Sequence, residues 1–210
     1  MAATIGKKVL SRPAFFVCDI QDRFRNAIHQ FPAVVATSRR MLAYANMFNI
    51  PVFVTEQNPK ALGSTVSEME LEKLGALHVG TWPKTKFSMY IPEVQAKLHE
   101  HGIQSVVIFG IESHVCVLQT VLELLSSGYS VHVVADAVSS CNKEEIPIAL
   151  ASLRQAGAVI TTSESLAFQL MQDAGSPNFK EFSSLVKAEK QAIANSLRDL
   201  CGDGTPKSAL

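Results

Sequence analysis

Apolar residues in this chain follow two rhythms. Some form short unbroken runs rich in β-branched and aromatic side chains. Others fall three and four apart, the spacing of one helix face. The two meet at S-V-V-I-F-G-I-E-S-H-V-C-V-L-Q-T, residues 105–120. Val106 to Phe109 is too short for a helix and suits a buried strand. Gly110 breaks the run, and Val117, Val121, Leu124 and Leu125 then return at helical spacing, up to about Gly128. A strand ends, the backbone turns sharply and a helix begins.

The same alternation fills the rest of the chain. Residues 14–18, A-F-F-V-C, predict a first strand that ends at Asp19, and 20–30 reads as loop or irregular helix. Pro32 suits a first helical turn. Val34, Val35, Ser38, Met41, Leu42, Ala45 and Phe48 mark one helix face, which Asn49 ends. Residues 51–55 predict strand two, finishing at Glu56, and 57–75 a long surface loop. A short third strand at 77–79 leads into a loop with Lys84 and Lys86. Pro92 opens a helix with Val94 and Leu98 that stops at Gly102. Strand five spans 129–135 and ends at Asp136. A helix over 143–155 buries Ile148, Leu150 and Leu153, with Gly157 as its cap. Strand six is 159–162. Ser163 then caps a helix with Leu166, Phe168, Leu170 and Met171, stopped by Gly175 and Pro177. A short helix reaches about Val186. The domain is taken as 1–187, with 188–210 a polar, loosely held tail.

Apolar strands alternating with helices describe an α/β fold: a three-layer α/β/α sandwich around a six-stranded, mainly parallel sheet. Ligands in such sheets bind beyond the carboxyl ends of the strands, where the strand order reverses. Those ends deliver Asp19, Glu56, the Gly110–Cys116 turn and Asp136. In the order 3-2-1-4-5-6, strands one and four are neighbours and Asp19 faces Cys116.

Charge narrows the partners. Across 210 residues, 19 Lys and Arg balance 19 Asp and Glu, and no basic cluster interleaves with aromatics. Neither nucleic acid nor an anionic membrane is implied, and no apolar run approaches the roughly 20 residues of a membrane span. Cys18, Cys116, Cys141 and Cys201 lack metal-type spacing, and no secretory segment opens the chain. Free thiols and a cytoplasmic location are expected. Lys7, Lys8 and Arg12 faintly resemble a mitochondrial transit segment, and Ser208-Ala209-Leu210 is similar to a peroxisomal signal without its central basic residue.

Cys116 stands near a helix start, where unpaired N–H groups and the helix dipole favour a thiolate over a thiol of ordinary pKa, about 8.5. It is a candidate nucleophile, against the plainer reading of a buried small hydrophobe. Asp19 is either a loop cap or a base desolvated by Phe15 and Phe16 that takes the thiol proton. Lys84 could keep the thiolate ionised, with Lys86 competing for that role. His114 lies two residues from Cys116 and points elsewhere. His29, His78, His99, His101 and His132 show no ligand spacing.

F-V-C-D-I-Q-D-R-F at 16–24, P-K-T-K-F-S-M at 83–89 and G-I-E-S-H-V-C-V at 110–117 resemble the three signature blocks of the isochorismatase-like cysteine hydrolases. V-T-E-Q-N-P-K-A-L-G-S-T-V at 54–66, V-A-D-A-V-S-S at 134–140 and T-T-S-E-S at 161–165 are similar to its animal members, and the likeness covers 14–187. The resemblance implies a catalytic triad of Asp19, Lys84 and Cys116, where Lys84 fits a pattern that ends at Phe87 and Lys86 does not. It implies a cis peptide at Ile111–Glu112 and an oxyanion hole from the N–H groups of Glu112 and Cys116. Phe24, Glu56 and Phe87 are taken as substrate contacts. Asp19 would deprotonate Cys116, the thiolate would attack a carbonyl, and water would release the thioester.

Two departures refine this. Related nicotinamidases hold zinc through an aspartate and two histidines after strand two. Here Glu56, Gln57 and Asn58 stand there, with no histidine between Gln30 and Leu77, so no metal and no other cofactor is expected. Isochorismatase itself lacks the nucleophilic cysteine, so a small amide, imide or carbamoyl compound fits better. The alternatives are a catalytically idle domain acting as a binding or regulatory partner, and a thiol redox sensor pairing Cys116 with Cys18. A homo-oligomer, dimer or tetramer, is implied by the family.

Overall fold

Every second residue of the first strand faces the same side of the sheet, and both sides are apolar. In β1 (Pro13–Cys18), Phe15 and Val17 enter one hydrophobic cluster while Ala14, Phe16 and Cys18 enter another. β4 (Ser105–Ile111) divides the same way and is buried at every position. Strands apolar on both faces must be covered on both, which is the three-layer arrangement. The computed structural model describes residues 10–202.

The remaining strands are β2 (Val52–Gln57), β3 (His78–Lys84), β5 (Ser130–Ser139) and β6 (Val159–Thr161). All pair in parallel, in the order β3-β2-β1-β4-β5-β6. The helices are α1 (Phe31–Phe48), α2 (Pro59–Leu62), α3 (Pro92–Glu100), α4 (Leu118–Ser126), α5 (Glu145–Ala156), α6 (Ser163–Met171) and α7 (Phe179–Cys201). Buried side chains of α1, α6 and α7 join one cluster, and those of α3, α4 and α5 the other. No helix among the described residues is long and apolar enough to cross a membrane. The switch point falls between β1 and β4, whose registers pair Cys18 with Gly110. There φ of Gly110 is +120°, and a Cβ would come within 2.2 Å of the Cys18 carbonyl oxygen. Only glycine lets the two strand ends approach so closely.

Several expectations need correction. β3 does not stop at residue 79 but runs to Lys84, because backbone pairing with β2 carries it through Trp82 and Pro83 despite a weak apolar pattern. β5 continues past Asp136 to Ser139. The Asp136 carboxylate therefore turns off the strand's middle and accepts from Ser163 N at 2.7 Å and Ser163 Oγ at 2.5 Å. Ser163 is not the N-cap of α6: Thr162 is, its Oγ1 accepting from Ser165 N at 3.2 Å. Thr162→Ala should lower stability by about 1 kcal/mol, measured by urea unfolding. Leu153 is buried as expected, but Ile148 is 62% exposed and Leu150 half-buried, because α5 starts at Glu145 and turns Ile146 and Ala149 inward in their place. Phe168 is likewise exposed on α6.

The largest difference is at the C-terminus. The short helix and loose tail expected around 187 are one continuous α7 through Cys201, with Phe182, Ile193, Ser196 and Leu200 buried. A buried cation fastens it: Arg40 of α1 donates through Nε to Glu189 at 3.2 Å and through Nη1 to Ser163 at 2.9 Å. The 57–75 loop also carries α2 and short 3₁₀ turns. Lys7, Lys8 and Ser208 to Leu210, with the last residues of the expected tail, lie outside the described residues.

Candidate active site

Parallel pairing brings distant side chains to one end of the sheet. In β1–β2 pairing Cys18 stands beside Thr55, and in β2–β3 pairing Gln57 stands beside Lys84. Asp19 follows Cys18 directly, with φ +51°, a left-handed conformation that aspartate tolerates better than most residues. Its carboxylate is 1% exposed. Oδ1 accepts from Thr55 Oγ1 at 2.8 Å, and Oδ2 from Lys84 Nζ at 2.7 Å and the Cys18 thiol at 3.8 Å.

The Lys84 ammonium is fully enclosed. Besides Asp19 it donates to Gln57 Oε1 at 2.6 Å, Phe87 O at 2.8 Å and Lys86 O at 3.2 Å. Burial pulls its pKa down, but the acidic groups of Cys18, Asp19 and Cys116 around it more than offset this and leave it above the usual lysine value. A buried cation with several acceptors stays charged, and it stabilises anions around it. Lys86, by contrast, is exposed and pairs with Glu123 at 2.7 Å.

Cys116 is 7% exposed and packs in the same apolar cluster as Cys18. It sits in a single π-type turn, Ser113–Val117, that leads into α4; such turns often mark functional sites. The turn is closed by Val115 N and Val117 N, both donating to Glu112 O at 3.1 Å. Thr120 Oγ1 holds its end, donating to Cys116 O at 2.6 Å. Burial above all, then the adjacent Cys116 side chain and the Asp19 charge, push the Cys18 thiol well above its ordinary pKa. Cys18 is therefore a neutral donor to Asp19. Cys116 shares the electrostatic surroundings of Lys84 and Cys18.

The other site candidates fall out differently. The Ile111–Glu112 peptide is cis. Glu112 points its Oε2 at Cys141 N, 2.8 Å away. Glu56 is occupied by the loop that follows it, accepting from Thr65 N at 2.7 Å and Thr65 Oγ1 at 2.9 Å. Phe24 is half-buried against the apolar cluster beneath α1. The Phe87 ring is 49% exposed, and its carbonyl rather than its ring meets Lys84. His114 is turned to Ser140 Oγ at 2.9 Å.

Sequence reasoning missed the polar residues that hold Lys84. Gln57 orients it, and Gln21 orients Gln57: Gln21 Oε1 accepts from Gln57 N at 2.7 Å, while its Nε2 donates to Gln57 O at 3.0 Å and Gly63 O at 2.6 Å. Gln57→Ala should leave the fold intact and weaken any function that depends on Lys84 by about 10- to 100-fold, as loss of a supporting hydrogen bond does at metal sites. Comparing the two proteins' reactivity at Cys116 checks this.

The isochorismatase domain model matches residues 13–165. Isochorismatase domain-containing protein 1 of Danio rerio is 48% identical over 185 residues, 88% of this chain and 64% of that protein. The chain thus spans under two thirds of that relative's length. A solved Caenorhabditis elegans structure described as MAR1 ribonuclease is 38% identical, with TM-score 0.79 over 99% of this chain and 100% of that one. YcaC of Escherichia coli, described as an octameric hydrolase of unknown specificity, is 19% identical with TM-score 0.72, over 97% of this chain and 94% of that one. At that identity the likeness is one of fold.

Proposed function

The chain belongs to the isochorismatase domain family, and from that premise we propose that it is a cysteine hydrolase of a small amide, imide or carbamoyl compound. The observation that carries this reading is the buried Lys84–Asp19 pair, 2.7 Å apart, at the end of the sheet from which β4 enters the turn that holds Cys116.

In this mechanism the Asp19 carboxylate takes the proton from the Cys116 thiol, and Sγ attacks the substrate carbonyl carbon. The N–H groups of Glu112 and Cys116 receive the developing oxyanion. Asp19 returns its proton to the leaving nitrogen as the C–N bond breaks, leaving a thioester. Water then attacks the thioester with Asp19 as base. The C–S bond breaks, the acid departs and the thiol is restored. Lys84 moves no proton: it holds the Asp19 carboxylate in place at 2.7 Å and sets a fixed positive charge beside the reacting groups. The slight exposure of Cys116, 7%, suits a small substrate.

Ribonuclease action is not carried over from the C. elegans neighbour's name. With 19 cationic and 19 anionic side chains this chain has no positive excess for a phosphate backbone. Exposed Leu122 and Ile148, on α4 and α5 over the same apolar cluster, support self-association, which light scattering would read directly.

The test screens wild type and Cys116→Ala against small amides, imides and carbamoyl compounds, with mass spectrometry of the Cys116 peptide. Turnover in the wild type, lost in the variant, with an acyl adduct on Cys116, is expected. Equal turnover in both would overturn the mechanism. A folded wild type inert toward the whole set would favour a binding role.

A further inference from the structure

Beside the strand ends that carry Asp19 and Cys116, three side chains of different ligand type converge without a part in the proposed reaction. Glu112 and His114 come from the turn after β4, and Cys141 from the turn after β5. One carboxylate oxygen, one imidazole nitrogen and one sulfur all lie within 4.8 Å of one another. A triangle with edges no longer than 4.8 Å has a point within about 2.8 Å of every corner. Zinc bonds to nitrogen and sulfur run about 2.0–2.3 Å, so small side-chain rotations close the gap.

The geometry points to a binding site for a borderline-soft divalent cation of the zinc type, held by Glu112, His114 and Cys141. The ligand set decides the class of ion. A thiolate and an imidazole exclude calcium and magnesium, which take oxygen ligands, and favour zinc or cobalt. Three protein ligands leave one of four tetrahedral positions open, the pattern of sites that exchange water or bind a further group. Supporting contacts are in place. Ser140 Oγ holds the His114 ring through Nδ1 at 2.9 Å, as outer-sphere partners orient ligating histidines. Cys141 N donates to Glu112 Oε2 at 2.8 Å, which fixes the two turns against each other. Glu112 and His114 are half-buried and Cys141 exposed, so an ion can enter from solvent. On binding, sulfur forms a bond to the metal and the Cys141 proton passes to solvent.

This site is separate from the aspartate-and-histidine zinc position after strand two that the sequence lacks, and it does not depend on the hydrolase reading. The test titrates Co²⁺ into the full chain and follows thiolate-to-cobalt absorption, with Zn²⁺ affinity measured against a chromophoric chelator. One Co²⁺ per chain, displaced by Zn²⁺, is expected. Cys141→Ser should remove the absorption and weaken Zn²⁺ binding by more than about tenfold, and Ser140→Ala should weaken it by about 10- to 100-fold. Cys201→Ser, at another exposed thiol, should change neither. Circular dichroism confirms that each variant is folded. Absence of the band in wild type, its survival in Cys141→Ser, or its loss only in Cys116→Ala would overturn the assignment.

Discussion

Replacing Lys84 by methionine is expected to destabilise the folded chain by about 3–5 kcal/mol, seen as a lower midpoint of urea unfolding. The change removes the ammonium from a carboxylate that is 1% exposed. Thr55 and Cys18 remain as neutral donors, too weak to replace a full charge beside a buried carboxylate. Adding Asp19→Asn to Lys84→Met should recover much of the loss, because a neutral amide needs no counter-charge. The sign of the pH effect follows from the direction of the lysine shift. Lys84 titrates higher in the folded chain than its ordinary 10.5. Its contribution is therefore complete below that pH and is lost as pH rises through the folded value. Wild type should lose stability in this alkaline range, and Lys84→Met should lack that part of the decline. Equal stability of wild type and Lys84→Met would mean that the pair contributes nothing.

Asp19→Asn should slow both turnover and alkylation of Cys116 near neutral pH by about 10²- to 10⁴-fold, the range for loss of a positioned base. The fold should survive with reduced stability: the amide oxygen can accept from Lys84 while its NH2 donates to the Thr55 hydroxyl, and Lys84 keeps Gln57 Oε1, Phe87 O and Lys86 O as acceptors. Timed iodoacetamide labelling, resolved by peptide, separates Cys116 from exposed Cys141 and Cys201. Cys18 should label slowly in both proteins, because burial keeps it a neutral thiol. If Cys116 alkylates equally fast with and without the carboxylate, Asp19 is not its base.

The central strands were legible because their apolar runs are unbroken. β1 ends where Asp19 interrupts it, and β4 runs only one residue past Gly110, so the two strand ends at the switch point could be read directly. Lys84 was harder to place. It ends a strand whose local pattern contains Gly80, Trp82 and Pro83, and only pairing with β2 keeps those residues extended. Thr55, Gln21 and Gln57 left no mark, since a buried polar side chain looks like any other until its partner is known. α7 did carry a signal: Phe182, Ile193, Ser196 and Leu200 recur on one face. Glu189 interrupts that stripe, and its partner, Arg40, is 149 residues away.

The pairing of β2 with β3 also limits how this chain can change over generations. Gln57 and Lys84 meet because they are partners in one ladder, and successive residues of a strand face opposite sides. Deleting a single residue within 52–57 or 78–84 would turn one of the pair away from Asp19, while the 57–75 connection could lengthen at little thermodynamic penalty. Lineages descending from this sequence should accumulate insertions between these two strands far more readily than within them.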